Sequence, residues 1–366
     1  MRVLRKSYGL ILVPAVLIAL FHLLSGRKKL MTAIADATLP LRQALSRVCA
    51  IFPFSAAELL CTLGVLALIA WLVWTVVSVA KRGPRLRTLW KRLRLLLAVA
   101  LILYLLLCLL LGASYRGDSF QDRSGLRALP QSVETLREVT ELFVDRLTEA
   151  SARVSRNSDG TFAVSQEEIF SAAADIYRGA EARFPLLTLS DVTPKRAFYS
   201  RLMSIFNYTG FYFPYTGEAT LNVDPPNNLL PATIAHEMAH QRGVASEQEA
   251  NFVAVLACVE SGNAVYEYSG WLFGFIHLGN ALYQRDKDTY FALAERLPEE
   301  VWADIEANRE YWAQFETKAA EVSDKVYDSM LKSYGQSMGV QSYGAVVDLL
   351  LAWYLEGGFE ADAITD

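Results

Sequence analysis

Apolar positions are distributed unevenly along the chain, and the densest runs fall near its start. Residues 8–24, 57–80 and 95–113 each extend for about 17 residues or more with hardly a charge, long enough to cross a hydrocarbon core. A buried core helix of that length would carry a polar stripe, whereas the leucine-rich run over 95–113 has none. The pattern predicts three transmembrane helices. The first is expected to be a retained anchor rather than a cleaved signal, because Ser25-Gly26-Arg27-Lys28-Lys29 follows it without a small-x-small site.

Beyond residue 113 the periodicity changes. Residues 114–131 read as a polar linker. Leu136, Val139, Leu142, Phe143 and Leu147 then recur at helical spacing over 132–152. A second helix is predicted over 165–182, opened by a capping box of Ser165 and Glu168. A third is predicted over 194–207, with Pro194 in its first turn. The aromatic, Gly- and Pro-punctuated stretch 208–217 reads as irregular or extended, and 218–223 alternates like a short strand that stops at Asp224-Pro225-Pro226. From Leu230 the pattern is helical almost to the end. The fold class expected is mainly α: a three-helix membrane region, then an α-rich domain over 132–366 with a small sheet (α+β).

Composition strengthens the membrane reading, since 53% of the 366 residues are hydrophobic and the mean hydropathy is +0.22. Charge adds an orientation. Residues 81–94 hold Lys81, Arg82, Arg85, Arg87, Lys91, Arg92 and Arg94 with no acid, the mark of a cytoplasmic segment. The N-terminus, with Arg2, Arg5 and Lys6, is then cytoplasmic and the large domain extracytoplasmic, although Arg27, Lys28 and Lys29 would sit outside. Residues 1–113 carry 15 basic and 2 acidic side chains, which leaves 20 basic and 37 acidic for the remainder. So acidic a domain excludes nucleic acid as a partner, and the lipid bilayer is the partner that composition implies. Of the four cysteines only Cys258 lies in the large domain, which excludes a disulfide framework or a cysteine-based zinc site there.

The chemistry lies in His236-Glu237-Met238-Ala239-His240. Two histidines four apart on a helix project from one face and can share one zinc ion, while the Glu between them reaches a water beside the metal. Zn2+ is the expected cofactor, His236 and His240 its ligands, and Glu237 the general base. Catalytic zinc has a third protein ligand. Gly243 reads as the helix end and Ser246 with Glu249 as the capping box of the next helix, which leaves Glu247 to turn back to the metal. Glu249 and a ligand further along the chain are alternatives. Asn251, one turn after Glu247, is placed to hold the outer nitrogen of a ligand histidine.

The stretch containing GFYFPYTGEATLN, PATIAHEMAHQRG and SEQEANFVA resembles an uncharacterised family of bacterial membrane proteins with N-terminal spans and a zincin-like domain. The wider relatives it resembles are gluzincin metallopeptidases, whose third ligand is the Glu of a Glu-x-x-Ala-Asp or Glu-x-x-Ala-Asn helix. Glu247, Ala250 and Asn251 match that pattern. Two departures stand out. Only six residues separate His240 from Glu247, fewer than in most gluzincins. His240-Gln241-Arg242-Gly243 resembles half of the metzincin motif, yet Ser246 occupies the position of the third histidine there.

The resemblance implies a membrane-anchored zinc metallopeptidase acting on a peptide or protein substrate, with residues 218–223 as an edge strand that pairs with it. Tyr343, in a turn-like opening before the last helix, is the candidate oxyanion donor, with Tyr266, Tyr268 and His277 as competitors. Two alternatives use the same residues: a zinc amidase acting on an envelope polymer, and a non-catalytic zinc-binding sensor or scaffold.

Overall fold

The computed structural model describes residues 2–81, 85–190, 192–333 and 343–359. The chain is mainly helical and divides into two compact units, one N-terminal to Gly117 that also takes in Phe213–Glu218, the other made from the rest beyond Asp118.

The first unit contains α1 (Arg2–Leu24), α2 (Lys28–Cys49), α3 (Ala56–Lys81) and α4 (Arg85–Leu107), the last running through a π-helical turn at Cys108–Gly112 into α5 (Ala113–Arg116). Among the described residues two helices, not three, are long and apolar enough to cross a membrane: Ala56–Lys81, of 26 residues, and Leu86–Arg116, of 31. At 1.5 Å per residue they reach about 39 and 46 Å against a hydrocarbon core of about 30 Å. The run expected as the first span lies in α1, where Gly9–Leu24 counts among the shorter apolar helices of the described residues. The basic segment expected to be a linker is helical from Arg85 onwards, with residues 82–84 outside the described set.

Sequence reading did not anticipate α2. Its buried residues Met31, Ala35, Arg42 and Ser46 fall on one face, where Met31 and Ala35 pack with Phe21, Cys108 and Ala113. Helix α3 begins with an unusual cap. Backbone N–H groups of Ala56 and Ala57 donate to the two carboxylate oxygens of Glu218 at 3.1 and 2.8 Å, and Glu58 N–H donates to Ser55 Oγ at 3.2 Å. Unpaired N–H groups at a helix start are thus met by a carboxylate whose charge also suits the helix dipole.

The second unit adds α6 (Phe120–Ser124), α7 (Val133–Ser151), α8 (Gln166–Ala172), α9 (Arg178–Arg183) and α10 (Ser200–Ile205). After the sheet come α11 (Leu230–Gln241), α12 (Glu247–Val259), α13 (Ala264–Arg285), α14 (Lys287–Ala294), α15 (Glu299–Ala313), α16 (Lys318–Ser333) and α17 (Tyr343–Leu355). The helical pattern read over 132–152 and from Leu230 onwards is present. The expected linker is not free chain, because Phe120 and Leu126 are buried in the core. The helix expected over 165–182 is two, α8 and α9. Between them the chain turns so that Ile176 and Tyr177 enter the core, and Tyr177 donates to the Ala235 carbonyl at 2.6 Å. Ser165 accepts from Glu168 N–H at 3.2 Å, one half of the expected box.

The helix expected over 194–207 is replaced by strand β1 (Lys195–Arg196) and the short α10. Pairing takes precedence over helix there. Lys195 and Arg196 lie parallel to Thr220 and Leu221, and Ala197 N–H donates to Leu221 O at 2.8 Å. With β2 (Gly210–Phe213) and β3 (Glu218–Leu221) the sheet order is β1-β3-β2. The strand read over 218–223 is therefore the inner one, buried along its whole length, and not an edge. Strand β2, whose residues are half-buried, is one of the two outer strands.

The core is built on α12 and α13. Every residue from Phe252 to Cys258 is buried, so α12 has no polar stripe and is enclosed by α11, α13 and α17. Phe143 of α7 meets Trp271 of α13 edge to face, with centroids 4.7 Å apart.

Candidate metal centre

Helix α11 carries His236, Glu237 and His240 and is fixed from several sides. Pro231 lies in its first turn, Ala232 N–H donates to Ser269 Oγ at 3.1 Å, and Tyr177 holds the Ala235 carbonyl. The helix ends as the sequence predicts. Gly243 takes φ 89°, Gly243 N–H bonds to His240 O at 3.1 Å, and Val244 N–H reaches back to Ala239 O at 3.1 Å, a Schellman closure. That closure reverses the chain within a few residues and brings the start of α12, Glu247, back over the histidines.

Three donor atoms converge as a result. His236 Nε2 and His240 Nε2 lie 3.1 Å apart, Glu247 Oε2 is 3.2 Å from His236 Nε2, and Glu247 Oε1 is 3.7 Å from His240 Nε2. Ligands of a tetrahedral zinc with bonds of about 2.0–2.1 Å lie roughly 3.3 Å from one another, so these separations suit one small cation. His, His and Glu form the described cluster of metal-ligating type. The residues fit the ion in a second respect. His240 Nδ1 lies 2.7 Å from the Val244 carbonyl, which holds the proton on that nitrogen and turns Nε2 towards the cluster.

Glu237 is buried beside the cluster, and among the described residues its oxygens accept no hydrogen bond. Gly210, the first residue of β2, lies against it: a Cβ there would be 2.8 Å from Glu237 Oε1. A carboxylate, a strand edge and the donor cluster thus share one site. Burial pushes the Glu237 carboxyl above its usual range, and Glu247 adds to this, against the pull of the two histidines. For His240, burial opposes protonation, but the Glu247 carboxylate outweighs it and raises the imidazole to about 9. For Glu247, burial is outweighed by His240 and His236, which hold it well below the usual carboxylate range.

Other expected residues lie elsewhere. Glu249 is not at the cluster: its carboxylate accepts from Phe120 N–H at 2.9 Å and from Gln121 N–H at 3.2 Å, capping α6. The capping box expected for α12 is therefore absent, and Ser246 makes no side-chain cap bond. Asn251 bonds to neither histidine among the described residues, since the Val244 carbonyl takes the outer nitrogen of His240 instead. Tyr343 opens α17, but its side chain and the preceding turn lie outside the described residues. Of its competitors, Tyr266 donates to the Ile169 carbonyl at 2.9 Å and Tyr268 to Asp304, so both are committed to the core. For His277, burial and then the charge of His236 lower the imidazole to about 4. A tyrosine that does reach the cluster is Tyr327, whose hydroxyl donates to Glu247 Oε1 at 2.8 Å, and the Tyr212 ring lies with its centroid 6.5 Å from that of His240. No local pattern marks Tyr327, because it comes from α16, 80 residues further along the chain.

Among the described residues the architecture is that of a mainly helical protein with two apolar helices of membrane-spanning length and a half-buried His-His-Glu cluster. The chain belongs to a family described as protein of unknown function (DUF3810), whose model matches residues 39–351. No curated protein and no solved structure matches it.

Proposed function

We propose that the chain is a membrane-anchored zinc-dependent metallopeptidase of gluzincin-like type, with His236, His240 and Glu247 as ligands and Glu237 as general base. The observation that carries this reading is the convergence of three donor atoms within 4.8 Å of one another beside a buried carboxylate that is not one of them. Zinc at this position supplies Lewis acidity towards a substrate carbonyl and lowers the pKa of water beside it. Glu237 takes the proton from the attacking water and passes it to the leaving amine, a task suited to a carboxyl whose proton affinity burial has raised. Gly210 keeps strand β2 close to Glu237 without a side chain between them.

In this reading the segment between the two apolar helices is cytoplasmic and the domain beyond Asp118 extracytoplasmic, which the basic residues of that segment support. A cytoplasmic N-terminus requires residues 9–24 to cross as well.

Zinc content and hydrolysis of a quenched-fluorescent peptide library, measured on the purified full chain in detergent, test the proposal. One zinc per chain is expected in wild type and in Glu237→Gln, with turnover in the variant lower by about 10²- to 10⁴-fold. Equal turnover in both proteins removes Glu237 from its role. Cleavage of cell-wall fragments but of no peptide replaces the peptidase with an amidase.

A further inference from the structure

The cluster has a fourth participant, and its geometry bears on how the third ligand binds. Tyr327 Oη donates to Oε1 of Glu247 at 2.8 Å; Oε2 makes the shorter approach to a histidine, 3.2 Å from His236 Nε2, while Oε1 stands 3.7 Å from His240 Nε2. The tyrosine is itself held in place. Its ring meets the Tyr208 ring edge-on, with centroids 6.0 Å apart at 86°. One turn earlier on α16, the Asp324 carboxylate accepts from Asn207 Nδ2 at 3.2 and 3.4 Å. Asn207 adopts φ 61°, a left-handed conformation that only a few residue types tolerate, and it directly precedes Tyr208. The segment that leads into Gly210 beside Glu237 therefore also grips the helix that carries Tyr327.

We propose that Tyr327 is a positioning residue that restrains Glu247 to bind the metal through Oε2 alone, with Asn207 and Asp324 holding α16 so that the hydroxyl stays on Oε1. The inference rests on the zinc reading above. A carboxylate with both oxygens free can bind a cation with two, which fills a position that catalysis needs open. A hydroxyl donating to Oε1 removes that option and orders the ligand before the ion arrives. Partners of this kind around a ligand typically account for about 10- to 100-fold in metal affinity.

Zn2+ and Co2+ binding to the full chain in detergent, by competition with a chromophoric chelator and by the Co2+ absorption spectrum, tests this without reference to activity. In Tyr327→Phe, Zn2+ affinity falls by about 10- to 100-fold and the Co2+ bands weaken and shift as the coordination number rises, while the melting temperature of the metal-free protein stays near wild type. Asp324→Ala produces a smaller loss that does not add to that of Tyr327→Phe, because both act through one hydroxyl. Wild-type affinity and an unchanged Co2+ spectrum in Tyr327→Phe overturn the inference and leave the zinc reading intact, even if turnover falls, since the tyrosine would then act on substrate. A wild-type chain that binds neither ion overturns both.

Discussion

Gly210→Ala places a single methyl group against the carboxylate on which the proposed chemistry depends. A Cβ at this position lies 2.8 Å from Glu237 Oε1, 2.9 Å from its Cγ and 3.1 Å from its Cδ. Comfortable separations between such atoms are about 3.5–4.0 Å, so the side chain must retreat by roughly 0.5–1 Å. The backbone itself accepts the change, because Gly210 is not among the residues with positive φ and alanine is tolerated in a strand. A displacement of that size at a catalytic group costs up to about 10²-fold, so kcat is expected to fall by roughly 10- to 100-fold. Zinc affinity stays at the wild-type value, since none of the three ligands is touched. Peptide hydrolysis and chelator competition on the same preparations separate the two quantities. Full activity in Gly210→Ala refutes the placement of Glu237 as base, and loss of zinc refutes its separation from the ligand set.

Further outcomes follow from groups outside the ligand set. Glu249→Gln is expected to leave zinc affinity unchanged and to lower the stability of the domain by about 2–3 kcal/mol, because two N–H groups at the start of α6 lose a charged acceptor. A melting curve read beside metal titration checks this, and the reverse result would exchange the roles of Glu249 and Glu247. Glu260 gives a pH dependence. Burial raises it from 4.5 to about 7 despite the Arg183 guanidinium 3.5 Å away. A carboxyl raised on folding contributes stability that is complete below pH 4.5 and lost as pH rises through about 7. Glu260→Gln should therefore match wild type at pH 4.5 and exceed it at pH 8 by at most about 3 kcal/mol; a wild type that is the more stable at pH 8 contradicts the assignment.

Much of the candidate site was legible because it is local. Four-residue spacing on one helix places His236 and His240 together, and a glycine at the C-terminus implies the reversal that returns Glu247. Each inference spans only a few residues. Tyr327 was not legible, since it reaches Glu247 from a helix whose own sequence gives no reason to single it out. For His240 the outer nitrogen expected for Asn251 is met by the Val244 carbonyl, and a carbonyl leaves no trace in residue type. Glu249, expected in the capping box of α12, instead caps α6, more than a hundred residues earlier. In the fold, α7 and α11 to α17 follow from periodicity. The loss of a helix over 194–207 does not, because parallel pairing with β3 is a long-range contact that overrides local preference.

The carboxylate that closes the start of α3 also bears on how the chain is made. Glu218 follows Ala56 by 162 residues, which a ribosome adding roughly 5–20 residues per second needs about 8–30 s to translate. Throughout that interval α3 exists with its first amides unanswered by their eventual acceptor, so its termination is settled late in synthesis. A chain arrested between these two points would carry a helix of spanning length with an unfinished end, and amide exchange at Ala56 and Ala57 would distinguish such a chain from the complete one.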